Sequence, residues 1–289
     1  MKTTEINVAT KRGVLLDGVH FVSDKGLSDT LMIAITGIHG NFYSNPFYVT
    51  IAQELTRHEI DFLYAQTNDA FNEIETENIL TGQTELIGSW NEDFKDTDED
   101  IEAYLRYAEE MGYQRIILAG HSLGANKVIY YLSRHQDAAI DRFILLSPAN
   151  LTHLTSTVSQ QEKNFIQNLK EKGKGQTRLP FPLLGWIPGT AQMAYGWLFD
   201  NILNNVHVEE DADFSQVQAI QHRGALLIGT YDRFTYGDPK HFLENINNHF
   251  QQPDQNLLIY IEQTGHTYQQ KEETLAQILR KLIQDWREE

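Results

Sequence analysis

Ile116-Ile117-Leu118-Ala119-Gly120-His121-Ser122-Leu123-Gly124-Ala125-Asn126-Lys127-Val128 is the stretch that decides how this chain is read. A short apolar run leads into Gly-His-Ser-Leu-Gly, and a helical pattern follows at once. The combination predicts a buried strand, a tight turn and a helix, with Ser122 on the turn as in a nucleophile elbow. A serine in that place has a strained backbone, so Gly120 and Gly124 stand where side chains would collide. Strand end and helix start then hold the serine Oγ above the sheet, with helix amides close by.

The segments on either side fit a sheet around this strand. Glu5–Thr10 and Gly13–Val22 read as an opening hairpin split by Lys11-Arg12-Gly13. Leu31–Thr36 is a continuous apolar run, which suits a strand buried on both faces. Phe47, Ile51 and Leu55 give helical spacing from Asn45 to His58, and Ile60–Thr67 is the next strand. Asn68 to Trp90 is polar and acidic without a clear period, and reads as a long loop with a short helix. Asp96–Met111 is a helix closed by Gly112, with the acidic run Asp93–Glu102 read as its solvated start. Phe143–Ser147, Ala225–Gly229 and Leu257–Glu262 are further strands, and helices are expected near Pro239–Phe250 and Lys271–Trp286.

Between Asn150 and about Gln221 the alternation breaks. Val158–Lys172 and Gln192–Leu203 read as helices, and Leu179–Gly189 is too rich in Pro and Gly for regular structure. The expected organisation is therefore a core domain formed by 1–150 and 221–289, interrupted by a cap, or lid, at 151–220. Strand–helix alternation with apolar strands predicts an α/β fold: a mostly parallel central sheet with helices on both faces, plus a helical cap.

The chain has 289 residues, enough to bury a full core, and a formal charge of −17. That charge disfavours nucleic acid, anionic membrane surfaces and polyanionic substrates. There is no cysteine, which excludes disulfides and thiolate metal sites. His-x-x-x-His, dinucleotide-binding and phosphate-cradling patterns are also missing, so neither metal nor cofactor is expected. The first residues lack the apolar core of a secretory signal, and no run spans a bilayer, so a cytoplasmic protein is expected.

In open α/β sheets ligands bind beyond the carboxyl ends of the strands, and chemistry-bearing residues are sought there. Ser122 follows one strand. A serine hydroxyl needs a base within reach, and of the eleven histidines His266 is the one placed directly after the strand Leu257–Glu262. The base needs a carboxylate to fix its tautomer, and Asp232 follows Ala225–Gly229. Asp238 precedes Pro239 and suits a helix N-cap, Asp200 falls inside an apolar helix, and the end of Phe143–Ser147 offers only Asn150. Two backbone donors for an oxyanion are expected from Leu123 and, after Leu31–Thr36, from Asn41 in His39-Gly40-Asn41. His39, Phe42, His121, Trp186 and Trp197 are the substrate-contact candidates, although His39 reads more readily as a loop histidine bonded to nearby backbone, and cap aromatics also serve to seat a cap.

Gly120-His121-Ser122-Leu123-Gly124, His39-Gly40-Asn41, Asp232 and Gly265-His266, in this order, resemble the α/β-hydrolase superfamily. The resemblance covers the chain from about Thr30 to its end. It implies a serine esterase or lipase-like enzyme with Ser122 as nucleophile, His266 as base, Asp232 as acid, and the Asn41 and Leu123 amides as oxyanion hole. Serine at the elbow argues against relatives that use an aspartate there. The expected function is hydrolysis of a carboxylic ester of small to medium size through an acyl-enzyme. Thioester, amide or carbon–carbon bond hydrolysis would use the same residues, and a non-catalytic ligand-binding protein is the remaining alternative. The expected partner is a small acyl substrate; self-association is not readable.

Overall fold

The computed structural model describes residues 1–203 and 205–289. Its centre is an eight-stranded sheet built from β1 (Lys2–Ala9), β2 (Leu15–Val22), β3 (Thr30–Ile35), β4 (Asp61–Ala65), β7 (Arg115–His121), β8 (Ile140–Leu146), β9 (Gly224–Gly229) and β10 (Leu257–Ile261). The order across it is β1-β2-β4-β3-β7-β8-β9-β10. From β4 to β10 every neighbouring pair is parallel; β2 runs antiparallel to both β1 and β4.

Alternation along each strand divides the core into two layers. In β3, Leu31, Ile33 and Ile35 face one layer, and Met32 and Ala34 face the other. The first layer is covered by α2 (Thr97–Met111), α3 (Leu123–Leu132) and α8 (Pro239–Asn248). The second is covered by α1 (Phe47–Arg57) and α9 (Glu272–Glu288), which pack on each other. Two covered faces explain why these strands read as unbroken apolar runs.

Asn68 to Trp90 differs from the expected loop. It carries an antiparallel hairpin of β5 (Ile74–Asn78) and β6 (Gln83–Ile87) and no helix. The ribbon is mostly exposed, so polar side chains occupy both faces and the sequence shows no apolar alternation. Thr81-Gly82 at its turn, with Gly82 at φ 64°, is the one local signal.

Between β8 and β9 lie α4 (Leu151–Ser156), α5 (Gln160–Glu171), α6 (Ala191–Phe199) and the short α7 (Ser215–Ala219). Asp200 caps the end of α6 instead of sitting within it, and pairs with Lys95 at 2.8 Å. Leu183, Ile187, Met193 and Trp197 from this region form an apolar cluster together with Leu123 and the half-buried Ile38. Polar ties run to the hairpin region: Arg178 grips Glu73 with two hydrogen bonds of 2.5 and 2.8 Å, and Thr190 N–H donates to Trp90 O at 2.8 Å.

The acidic helix start also departs from expectation. Asp100 is 1% exposed. It falls on the same stripe as Tyr104 and Ala108, four and eight residues on, and that stripe faces the core. There it belongs to a buried ionic cluster. Lys127 Nζ of α3 donates to Asp69 Oδ1 at 2.6 Å and to Thr67 Oγ1 at 3.1 Å, and lies 2.9 Å from Glu92 Oε1. Asp100 Oδ2 accepts from Asn68 N–H at 2.9 Å, and Arg12 approaches its other oxygen at 3.7 Å. Burial pulls the Lys127 ammonium down, but Asp69, Glu92 and Asp100 together outweigh it and hold it up. Burial, and then the Asp69 charge, push the Glu92 carboxyl up to about 8 against the pull of Lys127. Burial likewise takes Asp100 up to about 6, against Lys127 and Arg12.

Folded Glu92 therefore keeps a proton up to about pH 8, whereas the unfolded chain releases it near 4.5. The stability this proton contributes is complete below 4.5 and is lost as pH rises through about 8. In urea denaturation, the midpoint of the wild type is expected to fall from pH 6 to pH 9, and Glu92→Gln is expected to make that fall smaller. An equal fall in both proteins would show that Glu92 does not carry the proton.

Candidate active site

The turn after β7 is held by backbone contact. Ser122 has φ 56° and ψ −127°, outside the regions L-residues prefer. A Cβ on Gly120 would lie 2.2 Å from Gly124 O, and one on Gly124 would lie 2.3 Å from Ile35 O. Only glycine lets α3 start this close to the end of β3. Ser122 N–H donates to Leu146 O of β8 at 3.0 Å, which fixes the turn to the neighbouring strand.

Two loops bring their side chains to this serine. His266, after β10, places Nε2 2.8 Å from Ser122 Oγ and Nδ1 2.9 Å from Asp232 Oδ2. With Nδ1–H donating to the carboxylate, Nε2 is left to accept the serine proton. Asp232, after β9, is 2% exposed, and its Oδ1 accepts from Phe234 N–H at 2.9 Å. The loops also bond to each other: Tyr231 N–H donates to Thr264 O at 2.9 Å and Thr230 N–H to Ile261 O at 3.0 Å. Behind them the buried Tyr268 hydroxyl donates to Leu227 O at 3.1 Å and accepts from Ser147 Oγ at 3.0 Å.

His121 belongs to the scaffold instead of the substrate surface. Strand β7 runs two residues beyond the expected Ala119, and His121 is its last, buried residue. Its Nε2–H donates to the His266 carbonyl at 2.8 Å, and its ring packs edge-on against Phe47 at 5.0 Å. Burial, followed by the neighbouring His266, lowers its pKa to about 3, so it stays neutral near neutrality.

The loop after β3 differs from the expected oxyanion arrangement. Asn41 N–H donates to Ser44 Oγ at 3.1 Å, and its side chain is taken up by His39 O and Ala70 O. Asn41 is therefore engaged within its own loop and is not free to receive an oxyanion. Because β3 ends at Ile35, the loop meets the elbow earlier: a Cβ on Gly37 would lie 3.0 Å from Ser122 Cβ and 3.5 Å from Leu123 N. Ile38 follows at once. Among the described residues neither Ile38 N–H nor Leu123 N–H has an acceptor.

The other candidates separate. His39, at φ 55°, donates its N–H to Asp69 O at 2.9 Å. Its Nε2 bonds the Ser89 side chain, not the backbone, at 2.5 Å, and its ring meets Trp186 edge-on at 5.6 Å. Burial lowers its pKa, partly offset by Asp69. Trp186 is half exposed, while Trp197 is buried in the apolar cluster that contains Leu123. Phe42 lies elsewhere: its ring packs on Phe21, Tyr43 and Tyr64 beside the second core layer, because its backbone is turned toward Gln66. Sequence reading missed Phe234, whose ring lies 4.4 Å from that of His266; its place two residues after Asp232 was the available signal. Among the described residues no group of three or more His, Asp or Glu side chains is placed to hold a metal ion.

A family model described as "Protein of unknown function (DUF1749)" matches residues 14–215. No curated protein matches the sequence. Among solved structures, Est1E from Butyrivibrio proteoclasticus superposes with a TM-score of 0.69 at 16% identity, over 99% of both chains. The α/β hydrolase GrgF from Penicillium sp. sh18 gives 0.69 at 16% identity, over 98% of this chain and 99% of the other. The monoacylglycerol lipase of Paleococcus ferrophilus gives 0.64 at 14% identity, over 94% and 99%. At these identities the likeness is one of fold. No helix among the described residues is long and apolar enough to cross a membrane.

His121→Phe keeps the aromatic packing and removes the donor to the His266 carbonyl. Leaving that carbonyl unbonded costs about 1–3 kcal/mol locally, so amide hydrogen exchange in segment 264–270 is expected to quicken several-fold while that in β8 stays unchanged. A folded variant with unchanged exchange there would mean that His121 does not hold the His266 loop in place.

Proposed function

The chain belongs to the DUF1749 family and has the α/β-hydrolase fold, and from that premise we propose that it is a serine hydrolase of neutral carboxylic esters. The observation that carries this reading is the hydrogen-bonded line from Asp232 through His266 to Ser122, beside two unengaged backbone donors. The names of the fold neighbours, esterases and a lipase among them, agree with it.

In this reading Ser122 Oγ attacks the ester carbonyl while His266 Nε2 takes its proton. The carboxylate of Asp232, dry and held by Phe234 N–H, stabilises the imidazolium. The carbonyl oxygen becomes an oxyanion and receives the N–H groups of Leu123 and Ile38, the latter in place of Asn41. Collapse of the tetrahedral intermediate expels the alcohol, which takes its proton from His266, and leaves an acyl-serine. Water then gives a proton to His266 and attacks the acyl carbon. The second collapse releases the carboxylic acid and returns the proton to Ser122.

Substrate preference follows from what surrounds the donors. Ile38 and Leu123 share an apolar cluster with Trp197 and Met193, which favours an uncharged, apolar group beside the scissile bond. The net charge of −17 acts in the same direction, against anionic substrates. Residues 151–220 are read as the cap over this site, with Trp186 and His39 at its edge.

Ser122→Ala is expected to lower kcat on p-nitrophenyl butyrate by roughly 10⁴–10⁶-fold, because members of such a unit fail together. A fluorophosphonate probe is expected to label Ser122 in the folded protein and not in the variant. Near-normal esterase activity in Ser122→Ala would remove the assignment. A thioester or amide preferred by orders of magnitude in kcat/KM would keep the residues and change the substrate class.

A further inference from the structure

The buried cluster around Lys127 has no part in the proton transfers just described, yet it touches the elements that carry both backbone donors. Lys127 lies one helical turn after Leu123, in a helix whose other residues are also all buried. Its ammonium is bound to Asp69 Oδ1 at 2.6 Å, with both side chains no more than 1% exposed. The carbonyl of the same Asp69 accepts the N–H of His39, the residue after Ile38, at 2.9 Å. On the other side of Ile38, Gly37 is pressed against Ser122 and Leu123.

We infer that Lys127 and Asp69 are positioning residues for the oxyanion hole: their ion pair ties the helix that presents Leu123 N–H to Asp69, whose backbone carbonyl in turn holds the loop that presents Ile38 N–H. The role in catalysis rests on the serine-hydrolase reading; the mechanical link does not.

A buried ion pair is a poor choice if stability alone is at stake, since desolvation offsets much of the attraction and apolar side chains of similar volume do as well. What an ion pair of this kind adds is direction and a fixed length. Apolar contacts between a loop and a helix tolerate sliding, whereas a 2.6 Å charge-assisted bond does not. Oxyanion stabilisation is sensitive to such sliding, because both donors must reach one oxygen at hydrogen-bond distance. Thr67, bonded both to Lys127 and to Asp69 Oδ1 at 2.7 Å, fixes the carboxylate rotamer. Glu92 contacts the ammonium from the far end of the hairpin region and closes the cluster.

The test uses Lys127→Met, Asp69→Asn and the double variant in the full-length protein, with three readouts. The first is kcat and KM on p-nitrophenyl butyrate. The second is inhibition by an alkyl trifluoromethyl ketone, which forms a tetrahedral oxyanion on the serine. The third is amide hydrogen exchange in segments 36–41 and 120–127. Expected are a fall in kcat of about 10-fold or more with KM within about 2-fold, since transition-state contacts alone are lost, and a parallel weakening of the ketone. Exchange in 36–41 should quicken several-fold while that in β8 and α9 stays unchanged. The double variant should lose little more than the worse single one, as expected of a unit. Folded variants with wild-type kcat, ketone affinity and exchange would overturn the inference, as would quickened exchange spread over the whole protein. If Lys127→Met does not fold, the near-isosteric Asp69→Asn, which keeps the backbone acceptor, carries the same measurements. If the wild type cleaves no acyl substrate and resists fluorophosphonate, the hydrolase reading fails, and exchange in 36–41 alone then decides the mechanical link.

Discussion

The strained backbone of Ser122 is the constraint on which the rest of the structure depends. A non-glycine residue at φ 56° and ψ −127° costs about 1–3 kcal/mol and persists only if its surroundings allow no other path. Here they leave none. The end of β7, the start of α3 and the end of β3 approach so closely that a single Cβ on Gly120 or Gly124 would overlap backbone atoms. The strain is offset by the parallel pairing of β3, β7 and β8 and by a helix buried on every side. Once the turn is fixed, the position of Oγ is fixed, and neighbouring loops can be built to meet it.

Those loops are attached to each other before they are attached to the serine. The loop with Asp232 and the loop with His266 share backbone hydrogen bonds, and His121 at the end of β7 ties the second of them back to the elbow strand. A neutral, buried histidine suits that task. It donates one directed bond to a carbonyl and brings no charge close to the imidazole of His266. The hydroxyl of Tyr268 does equivalent work against Leu227. Side chains that look chemical in the sequence can therefore serve only to hold others.

That distinction governs what was legible in the sequence. Strands buried on both faces leave long apolar runs, and polar residues placed just after them stand out, which is why Ser122, Asp232 and His266 could be named and are found bonded in line. The two-stranded ribbon at 74–87 left no such trace, since little of it is buried. Asn41 is the expected donor because it follows the apolar strand Leu31–Thr36 and stands next to Gly40, which lets the backbone approach closely. The deciding quantity is instead how far beyond Ile35 the loop touches the elbow, and a sequence does not carry that distance. Lys127 and Asp100 were hidden for a different reason: charged residues are read as solvated, and only their coincidence with apolar helical stripes marked them as buried.

The proposed donors, Ile38 and Leu123, belong at once to the apolar cluster formed with 151–220 and to the backbone held by the ionic cluster. These influences are complementary. Apolar neighbours keep water and its screening away, so that an N–H directed at a developing oxyanion is worth more than it would be in solvent. Apolar neighbours cannot themselves direct that N–H, and a misdirected donor in a dry site is costly. Placing directional ionic contacts behind the loop and apolar contacts beside it meets both requirements with different residues. On the proposed reading Ile38 and Leu123 would serve both substrate preference and transition-state stabilisation, so a change in the apolar cluster that altered which acyl group fits would also alter how well its oxyanion is held.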